Sequence, residues 1–92
     1  MSYNYPIDPE TWSKEEIVDV VNFYSLVEQA NEKSVKREEL LMAYTRFKQI
    51  VPSKSEEKQL LAKFEKESGY SGYHTVKKAR EAQEGQKISV NN

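Results

Sequence analysis

Apolar residues recur along this chain at intervals of three and four positions, in blocks that short polar segments separate. That spacing places the apolar side chains of each block on one face of a helix. The pattern predicts four helices, at about residues 14–31, 35 or 36–50, 54–68 and 72–83. The first helix has the widest apolar arc, which is formed by Ile17, Val20, Val21, Phe23, Tyr24, Val27 and Ala30.

Capping signals mark the ends of these blocks. In a capping box, a serine and a glutamate three residues later each accept a backbone N–H of the other. The chain has two such pairs, Ser13-x-x-Glu16 and Ser53-x-x-Glu56. Ser34 is a candidate cap for the second helix. Pro52 ends that helix because proline cannot continue its hydrogen bonds, and Gly69 has the C′ position that favours glycine after the third.

The segments outside the helices differ from each other in composition. Residues 1–12 contain Pro6 and Pro9, which prevent a helix there. They also carry aromatic residues that disordered tails usually lack, so we expect an extended arm that docks. Residues 84–92 are polar, which predicts a flexible tail. With a single helical domain over residues 13–83, we predict an all-α fold: a small bundle of four short helices with an aromatic arm lying across the first.

Length and composition agree with one small domain. The chain has 92 residues, of which 32% are charged and 37% hydrophobic. It has no cysteine, which fits a reducing compartment. No apolar run approaches the roughly 20 residues that span a bilayer, and no signal-peptide pattern is visible at the N-terminus. We therefore expect a cytoplasmic protein that does not act in a membrane.

The net charge of −1 is distributed unevenly. Residues 1–35 carry two basic and seven acidic side chains, a net charge of −5, whereas residues 36–92 carry 12 basic and 8 acidic ones, a net charge of +4. One interpretation is that the acidic first helix packs against basic neighbours. The other is a basic face that attracts an anionic partner.

Four sequence blocks are specific in their order and spacing. They are YPID at residues 5–8 before Trp12-Ser13, EIVDVVNF at 16–23, FKQIVPSK at 47–54 and FEKESGY at 64–70. Together they resemble a family of short bacterial proteins known only as uncharacterised protein family 0223, over about residues 3–82. The resemblance implies an all-helical fold and a cytoplasmic bacterial protein. It implies no activity, so no functional residue is transferred from the family.

Residues that usually carry catalysis or bind metals are sparse. His74 is the single histidine, and its neighbours at helical spacing include Lys77 and Lys78, whose charge opposes metal binding. Ser71 is three residues from His74, but no third group orients the imidazole ring. The adjacent glutamate pairs lie in the first turns of helices, where the helix dipole favours them. We expect no catalytic, cofactor-binding or metal-binding residue, and we interpret the protein as a non-enzyme.

A nucleic-acid-binding protein is the alternative interpretation. The third helix, its glycine turn and the fourth helix, at residues 54–83, have the outline of a helix-turn-helix. The fourth helix presents side chains of types that contact phosphates and bases: Ser71, His74, Lys77, Lys78 and Arg80. Two features oppose this interpretation. Glu65 stands where close helix crossing favours a small residue, and the pI of about 5.9 is below the basic range of such modules.

We favour a protein–protein interaction or regulatory module whose partner the sequence does not identify. The candidate partner surface consists of Tyr3 and Tyr5 in the arm and of Val18 and Leu26 at the margins of the polar face of the first helix. The apolar arc of that helix exceeds what a simple surface helix needs. Either the helix is central and contacted from several sides, or part of it meets another chain, and the second interpretation predicts a homodimer.

Overall fold

The computed structural model describes residues 5–90 of the chain. The prediction of an all-α bundle of four short helices is confirmed. The helices are α1 (Lys14–Glu32), α2 (Arg37–Ile50), α3 (Lys54–Ser68) and α4 (Gly72–Glu81), and two short strands, β1 (Val35–Lys36) and β2 (Lys87–Ile88), accompany them. No helix among the described residues is long and apolar enough to cross a membrane.

Two of the predicted helix caps account for where α1 and α3 begin. At the start of α1 the capping box is complete: the Ser13 N–H donates to Glu16 Oε1 at 2.9 Å, and the Glu16 N–H donates to Ser13 Oγ at 3.2 Å. At the start of α3, Ser53 Oγ accepts the Glu56 N–H at 3.3 Å. Gly69 ends α3 with φ of 83°, a left-handed conformation that glycine adopts without a Cβ clash.

An aromatic cluster joins α1, α2 and α3 in the core. The Tyr24 ring stacks on Phe64 with the ring centroids 4.7 Å apart, and the Phe23 ring stacks on Phe47 at 5.0 Å. All four side chains are fully buried. Such pairs stabilise a fold by about 0.5–1.5 kcal/mol each beyond the burial of their area. The broad apolar arc of α1 is thus largely used inside the chain, because α1 contacts α2 and α4 and carries two of these rings.

The described part of the arm lies along α1. The Tyr5 ring packs against Tyr24, with centroids 5.5 Å apart, and against Phe64 at 6.2 Å. The Tyr24 hydroxyl donates to the Pro6 carbonyl oxygen at 3.0 Å. Trp12, the last residue before the cap of α1, is buried in the core. Hydrophobic burial and side-chain hydrogen bonds therefore both hold residues 5–12 on the bundle.

The structure differs from the predicted flexible tail over residues 84–92. Residues 87–88 form β2, which pairs antiparallel with β1 so that Val35 is opposite Ile88. Ile88 is only 2% exposed, and the Val90 N–H donates to the Ala30 carbonyl oxygen at 2.8 Å. Residues 91–92 lie outside the described part. The polar composition predicts flexibility wrongly here, because one buried isoleucine and a few backbone hydrogen bonds hold the segment on the bundle.

The same strand pair changes the start of α2. Ser34 does not cap the helix, because the extended residues Val35–Lys36 intervene and α2 begins at Arg37 with Lys36 in the cap position. The tail instead supplies hydrogen-bond partners for the first residues of α2. The Arg37 N–H donates to the Gln86 carbonyl oxygen at 2.9 Å, and Glu38 Oε2 accepts the Gly85 N–H at 2.8 Å.

Candidate functional site

The helix-turn-helix candidates on α4 lie on different sides of the helix. Ser71 is its N-cap, where Oγ accepts the His74 N–H at 3.1 Å. Lys77 and Arg80 are exposed and face a pocket that α4 forms with α2 and α3. Lys78 is half-buried and lines a separate depression beside β2. His74 is exposed and lines neither concavity. The structure therefore brings Lys77 and Arg80 together and separates them from Lys78.

The pocket beside Lys77 and Arg80, called here the cationic pocket, has a volume of about 450 Å³. Three further lysines complete its positive rim: Lys48 from α2, and Lys54 and Lys58 from α3. The sequence does not identify these three as neighbours of Lys77 and Arg80, because they come from helices that are separate in sequence. The remaining side chains that line the pocket are Tyr44, Glu57, Tyr73 and Val76.

Glu57 is the carboxylate in this pocket, and it is only 3% exposed. The Tyr44 hydroxyl donates to Glu57 Oε2 at 2.7 Å, and the Tyr73 hydroxyl bonds to the same carboxylate. Burial raises the pKa of both tyrosines, and the hydrogen bond to the charged Glu57 raises the pKa of each further. A buried carboxylate needs such partners, since an unpaired one is strongly unfavourable in the interior. Glu57 thus joins α3 to α2 and α4 behind the rim of cations.

The buried Tyr44 ring forms part of the apolar wall of the cationic pocket. Arg80 Cζ lies 5.4 Å from the ring centroid and Lys48 Nζ lies 5.5 Å from it. At these distances the electron-rich ring attracts both cations. The contacts orient two of the five cationic side chains.

A second concavity, on the other side of α2, is a groove of about 470 Å³ between α1 and α2. Leu26, a predicted partner residue, is half-buried in it next to Met42 and Ala43. The Arg46 Nε donates to Asp19 Oδ2 at 2.7 Å across the groove.

Exposed apolar side chains continue from this groove along α1 and α2. Val18, the other predicted partner residue of α1, is 64% exposed, and Met42 is 74% exposed. Asp19 lines both the groove and the depression beside Val18, so the two are neighbours on the surface. We call this surface the α1–α2 face: Val18, Leu26, Met42 and Ala43 with the Asp19–Arg46 pair. Met42 was not predicted as a partner residue, because it lies outside the apolar stripe of its helix.

Of the two tyrosines in the predicted partner surface, Tyr5 is among the described residues. Tyr5 is half-buried, and its hydroxyl donates to Glu28 Oε1 at 2.5 Å. It therefore contributes to the fold, in addition to its ring contacts with α1 and α3. Tyr3 lies outside the described residues.

Over residues 5–90 no group of three or more His, Cys, Asp or Glu side chains converges as a metal site would require. Ser71 and His74 are linked through a backbone N–H rather than through the imidazole ring. The geometry of the described chain therefore offers two surfaces for recognition, the cationic pocket and the α1–α2 face.

Comparison with known proteins agrees with the resemblance of the four sequence blocks. A family model described as "Uncharacterised protein family (UPF0223)" matches residues 2–88. A UPF0223 protein of Oceanobacillus iheyensis is 69% identical, covering 91% of this chain and 94% of the relative. The UPF0223 protein YktA of Bacillus subtilis is 57% identical, covering 89% of this chain and 92% of the relative. The chain therefore belongs to the uncharacterised protein family UPF0223.

Proposed function

We propose that this protein is a non-enzymatic interaction module of the bacterial cytoplasm that binds a second copy of itself through the α1–α2 face. The observation that carries the proposal is the exposure of Met42, at 74%, beside a groove that already holds the half-buried Leu26. A large flexible side chain next to an apolar groove is typical of a protein-binding surface, because methionine adapts its shape to a partner. Burying both copies of Met42 and Val18 would remove apolar surface from water.

The charges of the α1–α2 face support a second copy as the partner. A two-fold symmetric interface brings one surface patch against itself. Such a patch is self-complementary when it contains both signs of charge. The groove is lined by Asp19, Glu39 and Arg46. An antiparallel pairing would place the arginine of each copy near the carboxylates of the other, so opposite charges would meet.

The non-enzymatic part of the proposal is supported by the roles of the polar groups. The Ser71 hydroxyl is engaged in capping α4, and the buried Glu57 is engaged by two tyrosines. These contacts satisfy structural needs. For the cytoplasm, the support is the absence of cysteine from the sequence together with the bacterial sources of the relatives.

The nucleic-acid alternative over residues 54–83 has weaker support. A helix that reads a DNA groove presents its contacting side chains on one face. On α4, Lys77 and Arg80 face the cationic pocket, whereas Lys78 faces the depression beside β2. We therefore favour self-association over groove binding.

Substitution of Met42 by glutamate tests the proposed dimer. Its high exposure means that Met42→Glu should leave the folded monomer intact, while it places a charge in the centre of the interface. Sedimentation velocity from micromolar to millimolar protein should show a monomer–dimer equilibrium for the unmodified chain and a monomer for the variant.

Ile7→Glu is the matched control, because Ile7 is the exposed aliphatic residue of the arm and is 41% exposed. This variant should dimerise as the unmodified chain does. A strict monomer for the unmodified chain over the whole concentration range would refute the proposal, as would equal loss of dimer in both variants.

A further inference from the structure

We propose that the cationic pocket binds a small molecule that carries a chain of phosphate groups, of the size of a nucleoside di- or triphosphate. This inference is independent of the proposed dimer. The groove residues of the α1–α2 face and the side chains that line the pocket have no member in common. On α2, Met42 and Arg46 lie on one side, and Tyr44 and Lys48 lie on the other.

The first support is the concentration of positive charge in one concavity. Five cations and one carboxylate line the pocket, which gives the lining a formal charge of +4. The whole chain has a net charge of −1, so everything outside the pocket sums to −5. The cluster is therefore a local feature of an acidic protein and does not follow from a general excess of basic residues.

The second support is that, over residues 5–90, these cations form no ion pair with an acidic side chain. The ion pairs among the described residues are Arg37–Glu38 and Arg46–Asp19, and neither involves the pocket. Lys54, Lys58, Lys77 and Arg80 are exposed and Lys48 is half-buried. Holding five like charges around one cavity is unfavourable, and the low-dielectric wall behind them strengthens their combined field. A polyanion in the pocket would relieve that repulsion.

The carboxylate of Glu57 does not provide this relief. It is buried behind the rim and its charge is directed to the hydroxyls of Tyr44 and Tyr73. An anionic group that enters the pocket meets the lysines and the arginine before it approaches Glu57. The arrangement thus favours phosphates at the rim, where lysine and arginine side chains donate several charge-assisted hydrogen bonds.

Size and shape indicate a small ligand rather than a nucleic-acid duplex. The volume of about 450 Å³ lies in the range of small-molecule sites. The cations surround a concavity that three helices form, whereas a duplex is contacted along an extended or protruding surface. Tyr73 is 43% exposed, so its ring is available to stack on a planar base, and Val76 adds apolar wall.

Isothermal titration calorimetry at low ionic strength, with ATP and inorganic triphosphate as separate probes, tests this proposal. Binding of both probes assigns the affinity to the phosphate chain. Binding of ATP without binding of triphosphate would mean that a contact to the nucleoside is also required. Either result supports the proposal, and adenosine should bind much more weakly than ATP because it lacks the phosphates.

Helix α3 supplies a matched pair of variants. Lys54→Ala with Lys58→Ala removes two cations from the pocket, and Lys63→Ala with Lys66→Ala removes two exposed cations from the same helix outside the pocket. The first double variant should bind the probe at least about tenfold more weakly, since it loses the charge-assisted hydrogen bonds that two lysines donate to the phosphates. The second should change affinity only slightly. Equal losses in both would overturn the proposal.

Glu57→Gln gives a test of opposite sign. The glutamine keeps a hydrogen-bond acceptor for the tyrosines and removes the negative charge, so the anionic probe should bind more tightly. A thermal melt would verify that the variant folds. Weaker binding in a folded variant would contradict the placement of the phosphates in this pocket.

A duplex and a single-stranded oligonucleotide complete the experiment. Salt-sensitive binding of an oligonucleotide without binding of ATP or triphosphate would overturn the small-ligand proposal and favour a nucleic-acid surface. Failure of every anionic probe to bind at low salt would overturn it as well.

Discussion

At the residue scale, Glu57 is unusual because its charged side chain is buried in the protein interior. Glutamate is almost never fully buried unless it is paired, yet Glu57 is 3% exposed. Its partners are hydroxyls from two other helices, Tyr44 on α2 and Tyr73 on α4. Because hydrogen bonds are directional, these bonds fix how α3 packs against α2 and α4, which hydrophobic packing alone would leave unspecified. The cluster therefore has a structural role whether or not the pocket in front of it holds a ligand.

The raised tyrosine pKa values make the folded state sensitive to alkaline pH. Burial is the main cause at Tyr24, Tyr44 and Tyr73. A tyrosine ionises at its usual value of 10.0 in the unfolded chain and at a higher pH in the folded one. Its contribution to the free energy of unfolding is therefore complete below about pH 10 and is lost as pH rises through the folded pKa. Urea denaturation at a series of alkaline pH values should show this decline.

Tyr44→Phe identifies the source of the alkaline effect. The variant should have a shallower decline of stability above about pH 10, because one shifted group is gone. At neutral pH it should be less stable by about 1–3 kcal/mol, because Glu57 loses a hydrogen-bond donor. An unchanged alkaline slope would show that Tyr44 ionises as freely in the folded chain as in the unfolded one.

At the scale of elements, local signals determined what sequence analysis predicted. Two helix starts and the end of α3 depend on Ser13, Ser53 and Gly69, which act on backbone groups within a few residues. The strand pair was not predicted, because two residues are too few for a periodic pattern and the partners are about 50 positions apart in the chain.

The candidate surfaces were only partly predictable for the same reason. Lys77 and Arg80 were identified among five candidate nucleic-acid contacts of the fourth helix, together with Ser71, His74 and Lys78. The lysines of α2 and α3 join them only through the crossing of three helices, which no local pattern encodes. The burial of Glu57 was missed because its position in the first turn of α3 has an adequate explanation in the helix dipole. Val18 was identified from the helical wheel, whereas Met42 was not.

The β2 segment supports a prediction at this scale. Ile88→Ala should lower the free energy of unfolding by about 2 kcal/mol, the lower end of the range for buried aliphatic residues, because a short terminal segment can relax. Chemical denaturation monitored by circular dichroism measures this change.

Lys87→Ala is the control, since Lys87 is the exposed neighbour in the same strand. Its effect should stay within about 0.5 kcal/mol. If both variants were as stable as the unmodified chain, the contacts of residues 87–90 would contribute nothing to the fold in solution.

At the scale of the whole molecule, the two candidate surfaces are separated. The cationic pocket and the α1–α2 face lie on opposite sides of α2. The Cα radius of gyration is 12.4 Å, close to the roughly 12 Å expected of a compact chain of this length. A second copy could therefore bind one side of α2 while an anion binds the other.

Small-angle X-ray scattering provides an independent prediction for the dimer. The principal extents of the molecule are 37 × 25 × 22 Å. If two copies associate side by side through the α1–α2 face, their centres lie about one short axis apart, and the radius of gyration should rise to roughly 17 Å. A dimer joined end to end along the long axis would scatter with a distinctly larger radius and would exclude the α1–α2 face.

The attachment of the tail to two helices has a consequence for how the protein opens. The Val90 N–H is bonded to α1 through Ala30, and the Arg37 N–H at the start of α2 is bonded to Gln86. First-turn amides of a helix usually lack a partner and exchange quickly with deuterated water. Here Arg37 has one, and that bond breaks only when the tail leaves. Detachment of the tail therefore frees the Val90 and Arg37 amides in the same event, so the last residues of the fold and the first turn of α2 form a single cooperative opening unit.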